Sequence, residues 1–155
     1  MQNKQLIFEF FLLFSKFEYA LKIVGFHKGD GDARPNWIKF AESIKNDFDK
    51  ESDDELLESV NYILTNPPKK QIIKDDVLIW SDNPPSSSSE IDLLLQYVCR
   101  VRNNLFHGGK YKDIYLKQED RSKKLLIACI SILQNCLQIS NEVREAFEKN
   151  FTNPS

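Results

Sequence analysis

Over residues 3–25 the apolar side chains Ile7, Phe10, Phe11, Phe14, Phe17, Leu21 and Val24 recur at intervals of three and four. That spacing draws one stripe along an α-helix, and the stripe is broad enough for a central element that other helices must cover. The run Leu6–Phe14 carries Glu9 in its middle and no small-residue cleavage site follows it. It therefore reads as a core helix and not as a signal peptide. Gly25 supplies the stop, and Gly29 and Gly31 mark a turn-rich connector from His27 to Pro35.

The same period continues downstream. A second helix is expected from Pro35, placed in its first turn, to about Phe48, with Trp37, Ile38, Phe40, Ala41, Ile44 and Phe48 inward. Ser52-Asp53-Asp54-Glu55 reads as a capping box, with Ser52 as the cap, opening a third helix that Pro67-Pro68 ends. Residues 69–80 change character: Ile72, Ile73, Val77, Leu78, Ile79 and Trp80 suit an extended chain but are too few to define a strand. A serine- and proline-rich loop follows. Ser89 then caps a fourth helix with Ile91, Leu94, Leu95, Val98, Leu105 and Phe106 inward, closed by Gly108-Gly109. A fifth helix over about 119–140 and a short one over about 141–149 complete the chain. The expectation is one all-α domain over 1–155, an up-and-down bundle of four to six helices with a partly extended connector around 69–80.

Net charge is −2, so the chain as a whole does not attract a polyanion. The charge is nevertheless segregated, with seven acids against Lys50 over 47–58 and eight bases against three acids over 100–124. Two solvated surfaces and a local anion-binding region both fit that pattern. Cys99, Cys129 and Cys136 have no paired spacing and lie in apolar helical contexts, as free thiols do in a reducing cytoplasm. No segment approaches the roughly 20 apolar residues that cross a membrane. These features point to a cytoplasmic protein.

Chemistry concentrates at the end of the fourth helix. Arg102 and His107 are five residues apart, which on a regular helix means roughly 140° of rotation and about 7.5 Å of rise. They cannot bond directly on one helix, but they can flank a phosphate lying across its end. In RNA cleavage the substrate's own 2′-hydroxyl is the nucleophile, so the protein needs a proton shuttle and a cation for the phosphate. An imidazole titrating near pH 6.5 and a planar guanidinium meet those needs, and Asn103 can orient either. With two histidines and no acidic cluster beside His107, no metal or other cofactor is expected. A structural reading is also open, because a His near a helix C-terminus interacts favourably with the dipole and an Arg can simply pair with an acid.

Arg102-Asn103-Asn104-Leu105-Phe106-His107 resembles the R-x4-6-H motif of the HEPN superfamily, with a polar residue directly after Arg. Gly108-Gly109-Lys110 and Phe17-Glu18-Tyr19-Ala20-Leu21 are similar to segments of stand-alone bacterial HEPN proteins. The specific motif covers about ten residues, and the bundle-level likeness covers most of the chain. The resemblance implies a metal-independent endoribonuclease of the toxin or antiviral defence type. It also implies a homodimer that joins two motifs in one cleft, with RNA as substrate and an antitoxin or regulatory protein as a further partner. Arg102, His107 and Asn103 match the motif's catalytic positions. Asn104 and Lys110 are candidates for substrate contact, and Glu18 and Tyr19 for supporting Arg102 or His107. A helix-surface Glu and a solvated loop Lys are the plain alternatives for Glu18 and Lys110. Tyr111 and Tyr115 can stack bases or pack internally, and His27 is assigned nothing. Other family members are non-catalytic and bind RNA, a nucleotide or a protein; that is the competing functional reading.

Overall fold

The structure, a computed structural model, describes residues 2–107 and 119–152. The chain is mostly helical. Helix α1 (Gln2–Ile23) is followed by α2 (Trp37–Ile44), a 3₁₀ turn (Lys50–Ser52), α3 (Asp54–Thr65), strands β1 (Lys70–Lys74) and β2 (Val77–Ser81), α4 (Glu90–Phe106), α5 (Glu119–Ile139) and α6 (Asn141–Thr152). Helix α1 packs against α5 and α6, α3 lies on α5, and α2 lies on α4.

The stripe on α1 is the middle of the core. Phe10, Phe14, Phe17, Ala20 and Leu21 are buried, and Leu94, Leu95, Val98, Leu126, Cys129, Ile132 and Leu133 of α4 and α5 belong to the same cluster. The aromatic rings form a connected set: Trp37 stacks on Phe17 at 5.2 Å, and Phe40 meets Phe17 and Phe26 edge-on at 5.4 and 5.5 Å. Such contacts contribute about 0.5–1.5 kcal/mol each beyond the area they bury. Past the end of α1, Gly25 takes a φ of +99°, where a side chain would be strained. The chain turns there, and the Phe26 amide donates back to the Leu21 carbonyl at 2.9 Å.

Several boundaries differ from the sequence reading, each for a local reason. Pro35 lies before α2, whose cap is Asn36; its side chain accepts from the Lys39 amide at 3.0 Å. Helix α2 ends at Ile44 and not near Phe48, and Ile38 faces outward. The cap of α3 is Asp53 and not Ser52: its carboxylate accepts from the Leu56 amide at 3.1 Å. Ser52 is occupied in the 3₁₀ turn that Asp49 caps. The segment expected as a partly extended connector is an antiparallel hairpin, with Ile72 opposite Ile79 and Ile73 opposite Leu78. Asp75 and Asp76 make its turn with φ of +49° and +63°, the doubly left-handed geometry of tight hairpins. In α4, Phe106 was expected inward but is 67% exposed, while Val101 takes the buried position. The Ser89 cap stands as expected, accepting from the Asp92 amide at 3.2 Å.

The acidic stretch is a solvated surface, all seven acids being exposed, with Asp49 and Asp53 serving as caps. Within the basic stretch, Arg121 is committed to the Pro67 carbonyl at 3.1 Å, and Lys124 lies 5.7 Å from the Tyr62 ring. No described helix is long and apolar enough to cross a membrane.

Candidate functional site

Helix α4 carries Arg102 and His107 to its C-terminal end. His107 is the residue at which the helix stops, with φ −87° and ψ 4°, and its amide donates to the Asn103 carbonyl at 2.9 Å. The imidazole is exposed. Arg102 is half-buried one turn earlier, and its Nη1 donates to Asn103 Oδ1 at 2.8 Å. Asn103 thus holds the guanidinium from the adjacent position on the solvent side.

The two motif residues meet a common neighbour. The Phe106 ring lies 5.2 Å from the Arg102 guanidinium carbon and 5.7 Å from the His107 ring, which it meets edge-on at 82°. A second ring, Phe14, lies 5.6 Å from the same guanidinium. Stacking against two rings restrains Arg102 without consuming its hydrogen-bond donors, so most of the fork stays available to an anion. The sequence reading did not include Phe106 or Phe14 in the site. The four-residue step from Arg102 to Phe106 was the signal that could have found the first, since side chains at that spacing share a helix face.

Arg102 and Phe106 form one wall of a groove of about 410 Å³, whose other lining comes from α1: Phe8, Phe11, Leu12, Phe14, Ser15 and Glu18. Glu18 therefore shares a groove with Arg102, but the bond it makes is elsewhere: its Oε2 accepts from Trp37 Nε1 at 3.1 Å. Tyr19 projects from the exposed side of α1, beyond the groove lining. Asn104, expected as a substrate contact, lies away from Arg102. It is buried, and its Nδ2 donates to the Lys69 carbonyl at 2.8 Å, tying α4 to the start of the hairpin on the side away from Arg102. Lys110, Tyr111, Tyr115 and Gly108-Gly109 lie outside the described residues.

Beneath Arg102, one turn back, sits Cys99. Burial pushes its thiol up to about 12, the Glu18 carboxylate adds to the rise, and Arg102 opposes it. Cys99 is therefore a neutral packing group and not a nucleophile. Among the described residues no group of three or more His, Cys, Asp or Glu side chains is placed to hold a metal ion.

What the arrangement offers is a restrained guanidinium and an exposed imidazole around one aromatic ring, open to solvent beside an apolar groove. Comparison with protein-family models, with curated proteins and with solved structures gives no match.

Proposed function

We propose that this chain is a metal-independent endoribonuclease of the HEPN type, its helices arranged as an up-and-down bundle and its chemistry at Arg102 and His107. The observation that carries the reading is that both side chains lie within 6 Å of the exposed Phe106 ring at the end of α4. In the reaction, the 2′-hydroxyl of the substrate attacks the adjacent phosphorus and the 5′-oxygen leaves. His107 exchanges the proton at one of these oxygens, and Arg102 donates to the phosphoryl oxygens as negative charge accumulates there. Asn103 positions Arg102 through the bond to its Nη1. The two motifs of a homodimer would supply two such groups to one phosphate, so that acid and base need not be the same imidazole. The cytoplasm suits the protein's three free thiols, and an antitoxin or regulatory protein is the partner expected to restrain a toxic activity.

Purified protein incubated with structured and unstructured RNAs in chelator, beside Arg102→Ala and His107→Ala, tests the reading. Wild type is expected to cut, and each variant to lose most of the activity while melting at an unchanged temperature. Wild type cutting no better than both variants over a range of RNAs overturns it. That result would leave the second reading, a non-catalytic domain that binds RNA, a nucleotide or a protein. The aromatic lining of the groove, Phe8, Phe11, Phe14 and Phe106, favours a protein among those three.

A further inference from the structure

The groove between α1 and α4 holds two opposite charges that do not pair. Glu18 and Arg102 both line it, in a space of about 410 Å³ whose remaining lining is apolar but for Ser15. Among the described residues the two form no ion pair: Arg102 donates to Asn103, and Glu18 accepts from Trp37. Both nevertheless act on the buried Cys99 thiol, Glu18 raising it and Arg102 lowering it, so both stand close to it. Arg102 lies 5.6 Å from the Phe14 ring, and Glu18 follows Phe14 by one helical turn. A carboxylate offers roughly four acceptor positions, and on half-buried Glu18 the Trp37 bond uses one. A polar group taken from water without partners is costly, so the remaining positions call for donors. Trp37, stacked on Phe17 in the core, holds the carboxylate in place.

A fitting occupant is flat, apolar on its faces and rich in donors on the edge it turns to Glu18. Aromatic rings alone suit a protein side chain as well as a base; the two charges decide between them. An arginine from a protein would match the carboxylate with its fork, but it would bring a second cation beside Arg102. A nucleobase carries no charge. Among the four bases only guanine sets two donors side by side, the N1–H and the N2 amino group, as two parallel bonds to a carboxylate require. Adenine and cytosine present one donor beside a ring-nitrogen lone pair, and uracil sets its N3–H between two carbonyls. Each of these would turn an acceptor toward Glu18. Guanine also carries O6 and N7, acceptors that suit a neighbouring guanidinium. The groove is within the roughly 300–1,000 Å³ of small-ligand clefts, and the Phe106 ring, 67% exposed, is there for stacking.

We propose that the groove between α1 and α4 is a guanine-binding pocket, in which Glu18 reads the N1–H and the N2 amino group of the base and Phe106 stacks on its face. In the ribonuclease reading, on which this next step rests, the base belongs to an RNA whose phosphate lies at Arg102 and His107. Cleavage then falls next to guanosine. The guanosine must be unpaired, because in a duplex its N1–H and amino group are committed to cytosine.

The test is fluorescence anisotropy with a short labelled oligothymidylate carrying one central guanine, which lacks the 2′-hydroxyl and so cannot be cleaved. Counterpart probes carry adenine, or hypoxanthine, which lacks only the amino group. Wild type is expected to bind the guanine probe at least about tenfold more tightly than either counterpart, since each loses a bond to a charged acceptor. Glu18→Gln keeps an oxygen for Trp37, so its helical spectrum should stay unchanged, while the preference for guanine should vanish. Phe106→Ala should weaken binding of the guanine probe at least about fivefold. Equal affinity for guanine and hypoxanthine overturns the pocket, and so does a preference that survives Glu18→Gln. A capped peptide with one arginine that outcompetes the guanine probe, and does so through Glu18, gives the groove to a protein and also overturns it. RNA cleavage on the same samples separates the two readings. A Glu18-dependent preference for guanine without cleavage refutes the ribonuclease and supports the pocket. Cleavage with no preference for guanosine refutes the pocket alone.

Discussion

Asn104 separates what belongs to the site from what belongs to the fold, and its substitution gives a quantitative test. Asn104→Ala removes the donor to the Lys69 carbonyl, a bond of 2.8 Å between α4 and the segment that enters the hairpin. Losing one partner of a partly buried hydrogen bond costs about 1–3 kcal/mol; Lys69 itself is exposed, so water can rescue its carbonyl and the lower half applies. The substitution also enlarges an existing void of about 30 Å³ lined by Asn104, Pro68, Leu105 and Arg121. Roughly another 30 Å³ at about 24 cal/mol per Å³ adds about 0.7 kcal/mol. The sum is about 2 kcal/mol, or a fall of about 4–8 °C in Tm for a domain of this size. Urea and thermal unfolding measure it, with Asn103→Ala as the exposed neighbour expected to stay within about 0.5 kcal/mol. RNA cleavage by Asn104→Ala below its melting temperature is expected at the wild-type rate. Unchanged stability together with lost cleavage would return Asn104 to the substrate and refute the assignment.

Two further outcomes follow from local geometry. Burial raises all three thiols, so the folded chain keeps protons that the unfolded chain releases above about pH 9. The unfolded state then binds fewer protons, and this contribution to stability is complete below pH 9 and falls as pH rises toward 12. The decline is at most about 1.4 kcal/mol per pH unit for each thiol. Urea unfolding at pH 8 and 10.5 should show it, reduced in Cys99→Ala; equal slopes in the two proteins would contradict it. At the hairpin turn, Asp76→Gly keeps the φ of +63° without the cost of a side chain. Opening the hairpin should become harder by about 0.5–1 kcal/mol, read as amide exchange two- to fivefold slower at Ile72 and Ile79, the hydrogen-bonded pair of the ladder; unchanged or faster exchange would contradict it.

The helices were legible because each main one carries a single inward stripe over three turns or more. Helix α1 is the clearest case, its phenylalanines marking the buried line from Phe10 to Phe17. The hairpin was not legible, and the reason is physical. Neither face of it is wholly covered, so Ile72 and Ile73 stand side by side, as do Val77 and Leu78, and no alternation remains to mark a strand. Its turn is Asp-Asp, which lacks the glycine that usually advertises left-handed residues. The start of α3 was misplaced by one residue for a different reason. Ser52, Asp53 and Asp54 can each cap a helix, and the choice fell to the preceding 3₁₀ turn, a contact that spacing does not encode.

The site shows the same division between what periodicity carries and what only packing decides. Arg102, Asn103 and His107 were legible by residue type and by their resemblance to a motif. Spacing alone set Arg102 and His107 too far round the helix to act as a bonded pair, and in the structure each instead lies within 6 Å of the Phe106 ring. The inward assignment of Phe106 failed because Leu105, about 100° away on the helix, already fills the buried position. An exposed Phe beside Arg102 and His107 is costly to leave in water, by roughly 1.5–3 kcal/mol against burial. Its retention there is economical if something covers it: substrate stacking on the ring, or a second copy of α1 and α4. These occupants act on the same ring in opposite ways, because a base stacked on Phe106 displaces whatever protein lies over it. A dimeric ribonuclease would need the two to divide that surface, with protein contacts toward Phe8 and Leu12 and nucleotide contacts toward His107. Leu12→Glu and His107→Ala probe the two halves, and a shared cleft requires that the first change association and the second leave it intact.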